Sequence, residues 1–153
     1  MKILGIDPGY DRVGIAIIEG KELIYSECFS TSSKEDFKER LKKIGQKINA
    51  ILKKYSPEIM SVETLFITKN QKTAMRVAEA RGVILYEASL RKIPIYEYSP
   101  PEIKLAVTGH GGSDKNQIIK MVHLLIKIKN KRKALDDEYD AIAVALTCQA
   151  CIR

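Results

Sequence analysis

Apolar residues open the chain in three short blocks, Lys2 to Ile6, Val13 to Ile18 and Leu23 to Phe29, separated by Gly, Asp or Lys-Glu turn chemistry. The blocks predict three strands in a meander. From Lys34 to Tyr55 the pattern changes: Phe37, Leu41, Ile44, Ile48, Ile51 and Tyr55 recur at helical spacing, while lysines and glutamates fill the other side. This predicts an amphipathic helix, broken by Pro57. Glu58 to Glu63 (EIMSVE) reads as a buried strand ending on a carboxylate, Asn70 to Leu90 as a helix, and Pro94 to Ser99 (PIYEYS) as a fifth strand. Pro101 suits the first turn of a short helix to Val107. After the Gly109–Gly112 turn, Ser113 is the expected N-cap of a helix carrying Ile118, Val122 and Leu125 on one side. Lys127 to Lys133 is a basic loop, and the last helix runs from about Asp136 to Ala150.

Strands that follow helices need crossover connections to run parallel, so this order predicts an α/β protein with a mixed five-stranded sheet and helices on both faces. That order is the ribonuclease H-like topology. The 153 residues suffice for one sizeable core, so residues 1–153 are expected to form one domain.

Composition narrows the class. With 45% hydrophobic and 29% charged residues the chain has the make-up of a globular protein. No apolar run approaches the roughly 20 residues of a membrane span, and no signal-peptide pattern opens the chain, so no membrane contact and a cytoplasmic location are expected. Cys28, Cys148 and Cys151 are too few and odd in number for a disulfide framework, and the Cys148/Cys151 pair supplies only half the ligands of a four-ligand zinc site, so it is given no metal role. The formal charge of +7 favours polyanionic partners, although lysine-rich surfaces also serve solubility.

Against that basic background the carboxylates stand out. Asp7 ends the first apolar strand in Gly5-Ile6-Asp7-Pro8-Gly9, where the chain turns and another backbone can come close; by itself the pentapeptide is equally a hairpin turn that favours Asp. GxGxxG is absent, and an acid in that turn would repel a pyrophosphate. Glu63 ends another strand, or is an edge acid facing water. Asp136, Asp137 and Asp140 open the last helix, where three- and four-residue spacing lets Asp140 share a face with either neighbour; helix capping alone would account for Asp136. Gathering carboxylates costs repulsion, and hard divalent cations with oxygen ligands compensate it. Two magnesium ions about 4 Å apart could then activate water on one side of a phosphodiester and stabilise the leaving oxygen on the other.

Five ordered blocks, GIDPG, VETLFITKN, AMRVAEARG, KLAVTGHGGSDKNQI and DDEYDAIAVAL, resemble the RuvC Holliday junction resolvases from Lys2 to Cys148. The resemblance implies an endonuclease of DNA recombination and repair that cuts four-way DNA junctions as a homodimer. It implies catalytic, metal-binding Asp7, Glu63, Asp137 and Asp140, two Mg2+ ions per subunit with Mn2+ able to substitute, and RuvA and RuvB branch-migration proteins as partners. Asp137 is preferred over Asp136 because the family's pair is separated by two residues and leads into an Ala-Ile-Ala run. Phe66 matches an aromatic that inserts near the crossover, and Lys104 and Lys115 match lysines beside the active site. Lys69, Lys72, Arg76 and Arg81 lie near the same blocks as candidate DNA contacts; His110 receives no role. The rival readings are another ribonuclease H-like nuclease acting on RNA and a non-catalytic junction-binding protein, the latter having no use for the four acids. An actin-like ATPase would need two such domains.

Overall fold

The structure is a computed structural model that describes residues 1–65, 70–129, 134 and 136–152. Its elements are β1 (Lys2–Asp7), β2 (Arg12–Glu19), β3 (Glu22–Ser30), α1 (Phe37–Tyr55), β4 (Ile59–Glu63), α2 (Gln71–Leu90), β5 (Ile95–Tyr98), α3 (Pro100–Thr108), α4 (Lys115–Leu125) and α5 (Asp136–Cys151). The strands form one sheet in the order β3-β2-β1-β4-β5. β1, β2 and β3 pair antiparallel, whereas β4 and β5 join in parallel. This is the mixed, ribonuclease H-like sheet expected from the element order.

Strand alternation divides the core in two. Leu4 and Ile6 of β1, Val13, Ile15 and Ile17 of β2, and Met60 and Val62 of β4 face α1 and α2, meeting Ile44, Ile48, Ile51, Ala80 and Ile84. The opposite face carries Ile3, Ala16, Ile18 and Ile59 against α3, α4 and α5. α5 lies directly on this face, and its Ala141, Ile142, Ala143, Val144 and Ala145 are all buried. Each large side chain fully removed from water contributes about 1.5–3 kcal/mol before chain entropy is set against it.

Several boundaries differ from expectation for local reasons. α1 begins at Phe37 rather than Lys34, after an Asp36 N-cap, and ends at Tyr55 as expected, with Ser56 as C-cap at a left-handed φ of 46°. Asp114, not Ser113, caps α4: it accepts from Gln117 N at 2.9 Å, and Gln117 Oε1 accepts from Asp114 N at 2.9 Å. Ser113 is instead buried and donates to His110 O at 2.6 Å. Leu125 is 40% exposed because α4 stops there, and Ile126 turns inward in its place. The basic loop begins as an extension of the sheet, with Lys127 bridged in parallel to Glu22, while its residues 130–133 lie outside the described residues. Ser99 and Glu102 form a capping box ahead of α3, whose first residues are Pro100 and Pro101.

Candidate active site

The parallel register of β1 and β4 places two acids side by side. Ile6 pairs with Val62, so Asp7 and Glu63 each lie one step beyond that pair. By the same alternation they share the α5 face, Asp7 with Ile3 and Gly5, Glu63 with Ile59 and Ser61. Across the antiparallel side Asp7 pairs with Gly14, and Gly14 with Cys28. Glu63, Asp7, Gly14 and Cys28 therefore form a row at one end of the sheet.

The first turns of α5 descend onto that row because two strand positions lack a side chain. A Cβ on Gly14 would lie 2.1 Å from Asp137 O, and one on Gly5 would lie 2.1 Å from Ala141 O. The close approach expected at the Asp7-Pro8-Gly9 turn is also present, since a Cβ on Gly9 would lie 2.2 Å from Arg12 O, but the contacts that seat α5 are made within the strands, at Gly5 and Gly14. Ser61 of β4 donates its hydroxyl to Val144 O at 3.0 Å and fastens the same helix farther along.

The result is a convergence of charge. One carboxylate oxygen from each of Asp7, Asp137 and Asp140 lies within 4.8 Å of the others. Asp136 is exposed and stands outside this trio. Burial, followed by the charges of Glu63, Asp140 and Asp137, pushes the Asp7 carboxyl from 3.8 up to about 8. Burial and Asp140 push Glu63 from 4.5 up to about 7, against the opposing pull of Lys115 and Lys104. Asp140 is raised as well, mainly by burial, with Lys115 working against it. The folded protein holds these acids together at an electrostatic cost that its own cations only partly offset.

The cations occupy defined places. Lys115 Nζ donates to both carboxylate oxygens of Asp140. Lys104, on α3, lines a shallow depression with Glu63 and Asp140. Arg81, only 17% exposed, donates Nε to Glu63 O at 3.4 Å and pairs with Glu97 at 3.0 Å, bracing the end of β4 against α2 and β5. Arg76 lies over the rings of Tyr10 and Phe37, 5.8 and 5.0 Å from their centroids. Lys72 is exposed on α2. Phe66 and Lys69 lie outside the described residues.

Sequence reasoning did not single out two groups at this site. Arg12 Nε lies 3.3 Å from Asp137 Oδ2, and Cys28 Sγ lies 3.4 Å from the same oxygen. Burial and the hydrogen bond to Asp137 push the Cys28 thiol up to about 11. Neither residue carries a motif; only strand pairing brings them to the site. Gly5 and Gly14 did carry a signal, since glycine inside an apolar strand marks a close backbone approach.

The family model for the crossover junction endodeoxyribonuclease RuvC matches residues 3–148. The chain belongs to the RuvC family. A RuvC of Carboxydothermus hydrogenoformans is 45% identical, with 95% of this chain and 93% of that protein covered. A RuvC of Brevibacillus brevis is 43% identical, with 96% and 90% covered. The T. thermophilus RuvC solved in complex with Holliday junction substrate superposes with a TM-score of 0.89 at 32% identity, covering 96% of this chain and 92% of that one. The yeast mitochondrial resolvase Ydc2, at 17% identity and TM-score 0.71, shares the fold; 97% of this chain and 77% of that chain are covered. This RuvC-family chain also has, among its described residues, no helix long and apolar enough to cross a membrane.

Proposed function

We propose that the chain is a magnesium-dependent endonuclease that resolves four-way DNA junctions, with Asp7, Glu63, Asp137 and Asp140 as its metal-holding catalytic residues. The observation that carries this reading is the convergence of Asp7, Asp137 and Asp140 beside Glu63. The donor set consists entirely of carboxylate oxygens, which suits a hard cation such as Mg2+ or Mn2+ and not a soft one. When bound, a pair of such ions supplies an activated water and stabilises the leaving oxygen of the phosphodiester. The chain's own contribution is positional. Asp7 and Glu63 are fixed by the sheet register, and Asp137 and Asp140 by the seating of α5. Lys104 and Lys115 stand at the β5 side of the acids, where a DNA strand entering the site would meet them. Arg81 acts through Glu63 as a positioning residue, whereas Phe66, Lys69 and Arg76 are proposed to contact the junction itself.

A four-way junction needs two opposed cuts and each chain supplies, among its described residues, one acidic cluster, so the active form is a two-fold dimer. Met75, Tyr86 and Leu90, exposed along one side of α2, support such a pairing. The whole chain acts as one nuclease domain in the cytoplasm, and RuvA and RuvB are the proposed partners. Cleavage of a four-way junction, a plain duplex and an RNA–DNA hybrid, each with and without Mg2+, tests the function. Metal-dependent paired nicking confined to the junction is expected. Preference for the hybrid would favour an RNA-processing nuclease, and binding without cleavage a non-catalytic junction binder.

A further inference from the structure

Two of the three converging carboxylates already hold a cation supplied by the protein. Lys115 engages Asp140, and Arg12 engages Asp137 at 3.3 Å. Arg12 opens β2, two residues before Gly14 and on the same sheet face, so it borders the acids on the β3 side while Lys104 and Lys115 border them on the β5 side. A strand drawn across the acids would pass between these two sets of cations. The Arg12 side chain is 62% exposed whereas Asp137 is 20% exposed, which makes the guanidinium the movable partner. An ion pair with one partner this exposed contributes at most about 1 kcal/mol, so exchanging it costs little. A guanidinium also presents a planar fork of donors matched to phosphate oxygens.

We propose that Arg12 is a phosphate-binding residue of the DNA site, held by Asp137 until that carboxylate coordinates a divalent ion. This rests on the metal-dependent reading above. Asp137 cannot serve a dication and the guanidinium at full strength. Coordination therefore frees the Arg12 guanidinium for the phosphates of the bound strand. Metal binding and DNA binding then favour one another, and by linkage the coupling is equal in both directions.

The test measures junction affinity of the full chain against salt by fluorescence anisotropy, in EDTA and in Ca2+, which takes the same oxygen ligands. Cleavage products are monitored in the same samples. Arg12→Ala is expected to match the wild type in EDTA. In Ca2+ it is expected to bind several-fold more weakly, with a log–log salt slope lower by about 0.9, the value of one phosphate contact. Without DNA, Arg12→Ala is expected to bind Mn2+ several-fold more tightly, followed by electron paramagnetic resonance, because the competing guanidinium is gone. Arg12→Lys should fall between the two. Equal loss of DNA affinity in EDTA and Ca2+, no loss in either, or weaker Mn2+ binding would each overturn the proposal, as would a marked fall in melting temperature, which would make the contact structural. Failure of the junction-resolving reading would show in the wild type itself, whereas failure of this inference appears only in the difference between wild type and variant.

Discussion

The Cβ that Gly14 lacks would fall 2.1 Å from the carbonyl oxygen of Asp137, so the first turn of α5 rests on bare strand backbone. Any side chain at position 14 must lift that turn, and with it Asp137, away from Asp7. Gly14→Ala is therefore expected to lose about 1–3 kcal/mol of stability, the usual range for overpacking a tight contact. Cleavage should fall by orders of magnitude, because metal ligands tolerate little displacement. Denaturant unfolding and single-turnover cleavage read the two effects, and a variant that keeps normal activity would show that α5 need not sit this low.

Asp137 and Asp136 are neighbours with unequal surroundings. Asp137 faces Asp7 and Asp140, while Asp136 is exposed beyond them. Asp137→Asn should abolish Mg2+-dependent cleavage, and Asp136→Asn should reduce it by no more than a few-fold. Parallel cleavage rates of the two variants decide it; the reverse order would move the site one residue along the helix.

Raised carboxyls also set a pH dependence for ion binding. Asp7 at about 8 and Glu63 at about 7 must shed their protons to coordinate a cation. Affinity for Mg2+ should therefore climb with pH through this window and level off above it, with net proton release at pH 7. Calorimetry in buffers of different ionisation enthalpy measures the protons directly. Affinity flat from pH 6 to 9 would contradict the electrostatic description of the site.

The same repulsion predicts a trade of stability for function. Asp7 binds a proton more readily in the folded chain than in the unfolded one, so its contribution to stability is fully present below about pH 4 and is lost as pH rises through about 8. Asp7→Asn removes the charge that is hardest to bury. In EDTA at pH 8 the variant should be more stable than the wild type by roughly 1–2 kcal/mol, as is common when functional-site strain is relieved, yet inactive. The gain should shrink toward pH 4, and Mg2+ should raise the melting temperature of the wild type much more than that of the variant. A destabilised Asp7→Asn at pH 8 would mean that the carboxylate is structurally required.

A remaining prediction concerns how a branch is distinguished from plain duplex. Phosphate contacts are alike on both, so an apolar ring is needed where strands diverge and bases open cheaply. Phe66, three residues beyond Glu63, is the sequence's candidate. Phe66→Ala should retain the dimer and most DNA affinity but cut fully paired junctions much more slowly, with partial rescue on junctions already unpaired at the crossover. Loss of folding in a melting curve would make the ring part of the core instead.

Hydrophobic periodicity by itself determined the element order, and with it the sheet class. It separates period-two blocks such as Val13 to Ile18 from the helical spacing of Phe37 to Tyr55, and crossover rules leave few ways to connect them. Local pattern also marked Asp7, Glu63, Asp140 and one of Asp136 and Asp137 as candidates, because acids at the ends of apolar strands and at the start of an apolar helix stand out, and the family resemblance favoured Asp137. What needed the tertiary structure was every relation between distant positions. That Asp137, already favoured by the resemblance, and not Asp136 stands beside Asp7 follows physically from how far α5 descends onto Gly5 and Gly14. The involvement of Arg12 and Cys28 depends on antiparallel pairing that carries no sequence mark. Arg81 reads in sequence as a candidate DNA contact, yet it is largely buried and tied to Glu63 and Glu97. Local pattern reports which face of an element is apolar, whereas the meeting of two elements is fixed by packing between residues far apart in the chain.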